Sequence, residues 1–487
     1  MESPLFTNLD LLTLVAEFTD KRDNVNCLRV SRAFYRVFIK HVWAHVEFGN
    51  MSEFKGSPVK LFGEHQELVR ELSLCSQHKI GRCPPGAFMC TAYGWLDGNP
   101  LRSLHRSAFN LLNSSASRIR SVAIRSGALE RTWMSALLKC GALQKLELYG
   151  NIEMVISESD KGLFVQMCNR LHTLLLSSIR FPTWSHGDDE GVGDGISLPN
   201  IQHLAIGTIE AGKRSNTRII GDIFIRNCDN LRSLRYCGRY DSYRVVPVKH
   251  YRTLQAGAAC SESLHTIDFS SIRMPDDQLE FHIDSVRKLR VLRARGAYFG
   301  QRSLNALLLY RKDNAAASAS RDPDNTDLVR RTCDLLEVLA IERVTARSGW
   351  FSTIAANFPR LHELSAGTVR MHDMLSGGDW VFTNLVTLKL IINMGALKLN
   401  KKTTSHWGAL TRRLSQLTRL EDLELRSRSL LDMTSAHLPQ SDTNWPFLGE
   451  FEPLQSLKLL KRFQLISIYD FTDNDKTEIV EFLDSSI

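Results

Sequence analysis

The sequence has no CxxC pair, although it holds ten cysteines in 487 residues. Paired thiols are what structural zinc knuckles and thioredoxin-type redox sites require, so both are disfavoured. Nor is there a stretch near the roughly 18 uninterrupted apolar residues of a membrane-spanning helix. The apolar run from Leu9 to Phe18 is broken by Asp10 and Glu17 and follows no basic stretch, so it reads as neither a span nor a secretory signal. No run of Lys and Arg stands out either. The 61 basic residues face 53 acidic ones, and the formal charge of +8 is modest for this length, which argues against nucleic-acid binding.

Catalytic groupings are missing as well. Fifteen histidines are scattered along the chain. None belongs to a nucleophile elbow, a zinc-protease helix or a kinase-type set, so neither an enzyme nor a cofactor is expected. Cys140, Cys168, Cys228 and Cys333 lie beside apolar segments, as reduced thiols do when they act as small hydrophobes. The expectation is a soluble chain of the cytoplasm, the nucleus or both. Cys75, His78, Cys83 and Cys90 offer four zinc ligands, but their spacing fits no knuckle and Pro84-Pro85 constrains the chain between the last two. Buried or loop thiols are the plainer reading, and no metal is expected. Gly191, Gly193 and Gly195 lack phosphate-loop spacing, and Asp188, Asp189, Glu190 and Asp194 do not follow a calcium loop. Both read as a solvated stretch, 186–195.

What the chain does have is an internal repeat. An apolar triplet of the form L-x-x-L-x-L recurs as Ile119-Val122-Ile124, Leu143-Leu146-Leu148, Leu171-Leu174-Leu176, Ile201-Leu204-Ile206, Leu264-Ile267-Phe269, Leu336-Leu339-Ile341, Leu361-Leu364-Ala366, Leu385-Leu388-Leu390 and Leu420-Leu423-Leu425. Weaker copies stand at Val69-Leu72-Leu74, Leu231-Leu234-Tyr236, Leu289-Leu292-Ala294 and Leu460-Phe463-Leu465. In a strand, alternate side chains share a face, so the last two apolar residues point inward together. One such strand cannot bury its apolar side alone; stacked neighbours can. Between triplets, segments such as 162–170, 278–288, 350–360 and 409–419 place apolar residues at three- and four-residue steps, the mark of an amphipathic helix.

This alternation, at intervals of about 24 to 30 residues, resembles that of leucine-rich-repeat proteins. The resemblance implies an α/β solenoid over residues 51–487, with parallel strands on a concave face and helices on the convex one. The small, polar stretch 311–327 reads as a disordered insertion. The Asn or Cys that usually follows the triplet is mostly missing, and unit length varies.

Residues 1–50 differ in kind. Leu11, Leu12, Val15 and Phe18 form one helical stripe. After a polar turn, Asp20 to Asp23, which offers caps, a second helix runs on through Val25, Leu28, Val30, Phe34 and Phe38, and Val42-Trp43 closes the segment. Three short helices make a poor independent core, so the segment should lean on something else. Asp10-Leu11-Leu12, Val30-Ser31-Arg32-Ala33-Phe34-Tyr35 and Val42-Trp43 follow the order and spacing of the F-box, which this segment resembles. It departs from that pattern at Asn8, where the family has proline, at Thr19 for leucine and at Phe34 for tryptophan.

The resemblance implies a substrate adaptor. Such a protein binds the Skp adaptor of a cullin-based SCF-type ubiquitin ligase through this segment, here through Leu11, Leu12, Val15, Phe18, Leu28, Val30, Phe34 and Trp43. The repeats then hold a protein substrate, and transfer occurs on other subunits. The alternative is a repeat scaffold whose helical N-terminus caps the array, with no link to ubiquitin transfer. Outward strand positions nominate Tyr149, Arg235, Arg293, Arg295, Lys389 and Arg426 for the substrate, with Glu147, Asp268, Glu342 and Glu424 among them. Stacked arginines suit an acidic or phosphorylated peptide. The plainer reading is a cross-strand ladder of ion pairs.

Overall fold

The computed structural model describes residues 8–48, 65–74, 109, 112–114, 116–124, 127–129, 131–154, 161–181, 197–207, 209–211, 224–225, 227–237, 263–309, 332–393, 401–427 and 448–467. The cysteine–histidine cluster at 75–90, the loop 186–195 and the insertion 311–327 lie outside them. The chain divides into two compact units, Met1–Leu231 and Arg232–Ile487.

The first unit begins with three helices, α1 (Leu9–Phe18), α2 (Lys21–Cys27) and α3 (Arg32–Ala44). A parallel sheet follows: β1 (His45–Phe48), β2 (Glu71–Leu74), β3 (Ser121–Ile124), β4 (Lys145–Met154), β5 (Thr173–Phe181) and β6 (His203–Gly207), in that order across the sheet. Its helices are α4 (Arg131–Lys139) and α5 (Lys161–Cys168). The second unit stacks β7 (Ser233–Cys237), β8 (Thr266–Asp268), β9 (Val291–Arg293), β10 (Val338–Ile341), β11 (Glu363–Arg370), β12 (Thr387–Asn393), β13 (Asp422–Ser427) and β14 (Arg462–Ser467), again parallel and in chain order. Its helices are α6 (Asp276–Ser285), α7 (Gln301–Leu308), α8 (Trp350–Asn357), α9 (Met371–Leu375) and α10 (Lys401–Leu414). Parallel neighbours joined by helical crossovers are the leucine-rich-repeat solenoid that the triplets predict.

The register is set by the triplets. The middle apolar residue of each faces its counterpart on the next strand: Leu72, Val122, Leu146, Leu174 and Leu204 in one unit, and Leu234, Ile267, Leu292, Leu339, Leu364, Leu388, Leu423 and Phe463 in the other. A slip of one residue would turn all of them to solvent, so burial fixes the pairing. All nine strong triplets are buried. The weak copy at Leu231 differs: Tyr236 is half exposed, and Cys237 turns inward instead.

Hydrogen bonds at the strand entrances join the rungs. The carbonyl of Arg120 accepts from the N–H groups of Gln144 at 2.8 Å and Lys145 at 3.0 Å, and His362 does the same for Val386 at 2.8 Å and Thr387 at 3.0 Å. Side chains add to this one residue before the first leucine of a triplet. Arg170 donates to Leu138 O at 2.7 Å, Asn200 to Asn169 O at 2.6 Å and Asn230 to Pro199 O at 2.8 Å. Leu138 lies in the last turn of α4 and Asn169 just past α5, where carbonyls lack intrahelical partners. These donors tie each turn to the preceding one, although the family's usual asparagine after the triplet is absent.

Candidate functional site

Two regions were expected to bind partners, and the structure treats them differently. In the N-terminal segment, every helix start is capped by a polar side chain. Asn8 Oδ1 accepts from the N–H of Asp10 at 3.1 Å and of Leu11 at 3.2 Å, Asp20 Oδ1 from Asp23 at 2.8 Å, and Ser31 Oγ from Phe34 at 3.3 Å. The asparagine that stands in place of proline thus starts α1 by hydrogen bonding. The stretch from Val25 to Phe38 is broken in two, because Ser31 caps a new start after the turn at 28–30, and this gives the three short helices expected.

The two other departures are also accommodated. Thr19 donates its hydroxyl to Asn24 Oδ1 at 2.6 Å, while Asn24 Nδ2 donates to the carbonyls of Ala16 and Thr19, both at 3.3 Å. The buried Asn24 thereby satisfies the open end of α1, a role the sequence does not advertise. Phe34 stacks on Phe38 with centroids 5.3 Å apart in the segment's interior.

Burial separates the eight nominated docking residues. Leu12 and Phe34 join Ala16, Val37 and Phe38 in the segment's core. Leu28 packs partly against that core, and Leu11 is half-buried. Trp43 is half-buried too, with its ring 5.4 Å from that of His65. Val15, Phe18 and Val30 are exposed, Phe18 at 84%. Leu14 and Val25 are also exposed and were not nominated.

On α1 the apolar residues therefore form two stripes. Leu12 and Ala16 face inward; Leu11, Leu14, Val15 and Phe18, at spacings of three, one and three, share the outer face. A helix that is apolar on both faces must bury both or leave one for something else. Among the described residues, α3 and α2 cover the inner stripe and leave Leu14, Val15 and Phe18 exposed.

The strand positions nominated for substrate lie in a ladder of opposite charges. Arg235 Nε is 3.4 Å from Asp268, Arg293 reaches Glu363 at 3.5 Å, and Arg295 reaches Glu342 at 3.7 Å. Asp268 thus neutralises Arg235, whereas Arg293 crosses the buried Ala340 of β10 to find its acid on β11. Lys389 lies 3.0 Å from Asp422 and 3.9 Å from Glu424. The carboxylate of Glu424 is nearly buried and gathers Arg426 at 2.6 Å and Arg462 at 3.7 Å besides. Every described cation of the nominated set is paired, so the geometry does not bring them together as a free anion receptor. Exposed pairs of this kind contribute about 0.2–1 kcal/mol each. The side chain of Tyr149 lies outside the described residues.

Burial also governs the titrating groups inside the units. The Cys140 thiol is pushed up to about 11 by desolvation, and Cys168 is raised further by the same cause. Such thiols are packing residues, since the reactive form is the thiolate. His282, fully buried on α6 with its ring 4.7 Å from Phe269, is lowered to about 3 because burial disfavours the imidazolium. Among the described residues no helix is long and apolar enough to cross a membrane.

No protein-family model matches the chain, and no curated protein matches it. Among solved structures it is similar to that of a TLR13–ssRNA13 complex, at 12% identity and a TM-score of 0.32, over 75% of this chain and 55% of that one. The chain thus spans about half the length of that protein, and so loose a superposition adds nothing to the strand register. A leucine-rich-repeat fold suggests a protein-interaction scaffold, and with it a protein partner.

Proposed function

We propose that the chain is a substrate-recognition adaptor of an SCF-type ubiquitin ligase, acting in the cytoplasm, the nucleus or both. The outer stripe of α1, with Val25 and Val30, docks on a Skp-type adaptor joined to a cullin. The strand face of the repeats holds a protein substrate. The chain itself performs no chemistry and needs no cofactor; ubiquitin transfer belongs to other subunits.

The observation that carries this reading is the second apolar stripe on α1. Leaving Leu14, Val15 and Phe18 in water forgoes about 1.5–3 kcal/mol for each side chain that a partner could bury completely. The F-box-like order of residues names the kind of partner. A second reading, a helical cap on a scaffold, is favoured by one contact: α3 runs directly into β1, which pairs with β2 from His45↔Glu71 to Phe48↔Leu74. A cap explains that pairing, yet it gives no use to an outward Phe18.

Affinity capture from cells with mass spectrometry tests the proposal. The Val15→Asp/Phe18→Asp protein should lose Skp and cullin subunits while keeping its other partners. Retention of the ligase subunits at wild-type levels would remove the docking assignment and leave the scaffold.

A further inference from the structure

The helix α3 carries a charge pattern that its own stability does not explain. Its sequence, RAFYRVFIKHVWA, contains Arg32, Arg36 and Lys40 and no acid. These three are exposed and spaced four residues apart, so they share one face over about 12 Å of helix. Arg32 opens the helix directly after its cap, Ser31, where the positive end of the helix dipole disfavours a cation. Among the described residues none of the three side chains has an ion-pair partner. Local preference broken without an internal compensation points to a use outside the segment.

The face is also distinct from the apolar one. Leu12 and Ala16 of α1 meet Phe34, Val37 and Phe38 of α3 in a shared core. The outer stripe of α1 and the basic stripe of α3 are each turned away from that core.

We infer that the Arg32–Arg36–Lys40 face of α3 is a second docking surface, and that its occupant is a carboxylate-rich protein segment. Charge complementarity sets the sign. Three cations match acidic side chains placed at helical spacing, which they hold by charge-assisted hydrogen bonds. A nucleic acid fits less well, because useful affinity there comes from many phosphate contacts, whereas the chain's small excess charge is spread over 61 basic and 53 acidic residues. A bilayer fits less well too: Phe34, Val37 and Phe38 of α3 are spent on the core, and Tyr35 is the one large apolar side chain of the described helix that stands exposed beside the basic face. The inference stands apart from the ligase reading, since no residue is shared.

The test uses the full chain and fluorescent poly-L-glutamate at low salt, read by anisotropy. The variant Arg32→Glu/Arg36→Glu/Lys40→Glu should bind roughly tenfold more weakly, the combined loss of three exposed pairs. A control of equal charge, Arg302→Glu/Arg347→Glu/Lys458→Glu at exposed sites, should lose no more than about threefold. The neutral variant Arg32→Gln/Arg36→Gln/Lys40→Gln should fall between, and neither α3 variant should melt below wild type. If the α3 variant and the control weaken alike, the surface is not the site. Tighter binding of wild type to a labelled DNA duplex or to phosphatidylserine vesicles than to polyglutamate would likewise overturn the assignment, in favour of that other occupant.

Discussion

Truncating one residue from each stripe of α1 should give opposite outcomes. Phe18 is 84% exposed, so Phe18→Ala removes almost nothing from the folded chain and should shift unfolding by no more than about 0.5 kcal/mol. Its cost falls on the complex. Burying a whole phenylalanine contributes at most about 3 kcal/mol, and with most of the ring free to be covered the loss should be about 2 kcal/mol, or some thirtyfold in Kd. Leu12 is 4% exposed, and Leu12→Ala opens a cavity at a cost of about 2–5 kcal/mol. The core it leaves consists of Ala16, Phe34, Val37 and Phe38, which is too little to absorb that loss. Isothermal titration against a purified Skp-type adaptor would read the first effect, and urea unfolding followed by far-ultraviolet circular dichroism the second. A Phe18→Ala protein that unfolds early while Leu12→Ala does not would reverse the two stripes. A Phe18→Ala protein that binds within about threefold of wild type would end the docking assignment.

Two further outcomes test the packing of the second unit. The depressed His282 makes the unfolded chain bind more protons than the folded one between pH 6.5 and about 3. Its contribution is therefore complete above pH 6.5 and is lost as the pH falls, by about 1.4 kcal/mol per pH unit. In urea titrations across that range, His282→Phe should flatten the acid limb; an unchanged slope would mean the imidazole is hydrated. Asp276 on α6 caps the neighbouring α7 by accepting from the N–H groups of Gly300 at 2.8 Å, Arg302 at 3.1 Å and Ser303 at 3.1 Å, and from the Ser303 hydroxyl at 2.6 Å. Because Gly300 has no side chain to cap with, Asp276→Ala should cost about 1–2 kcal/mol in thermal unfolding. Asp276→Asn should recover part of that loss, which a purely electrostatic role would not allow.

Much of the fold was legible because its rule is local. A strand with apolar residues at alternate positions has only one side that can face a core, whatever its neighbours are, so Leu174, Leu339 and Leu423 could be assigned inward from sequence alone. The helices between triplets were legible for the same reason, although α10 begins at Lys401, ahead of the apolar periodicity that marks its later turns. The repeat boundary near residue 50 was less so. The first rung, β1, lies inside residues 1–50, where four residues carry too short a pattern to separate a strand from the end of α3.

The candidate sites were legible only in part. Sequence spacing placed Leu11, Leu12, Val15 and Phe18 on one stripe. Packing against α3 assigned Leu12 inward with Ala16 and left Leu14 outside with Val15 and Phe18, since a helix apolar on several sides does not state which one its neighbours will cover. On the strand face, outward direction could be read for Arg293, Lys389 and Arg426, but not their partners. That Arg293 reaches over Ala340 to Glu363 depends on which strands become neighbours and how small the side chain between them is. The sequence by itself determined which side chains seek burial, because that follows from backbone geometry within a single element. Only the tertiary structure decided which apolar stripe remains uncovered and which charges neutralise one another, because both depend on contacts between segments far apart in the chain.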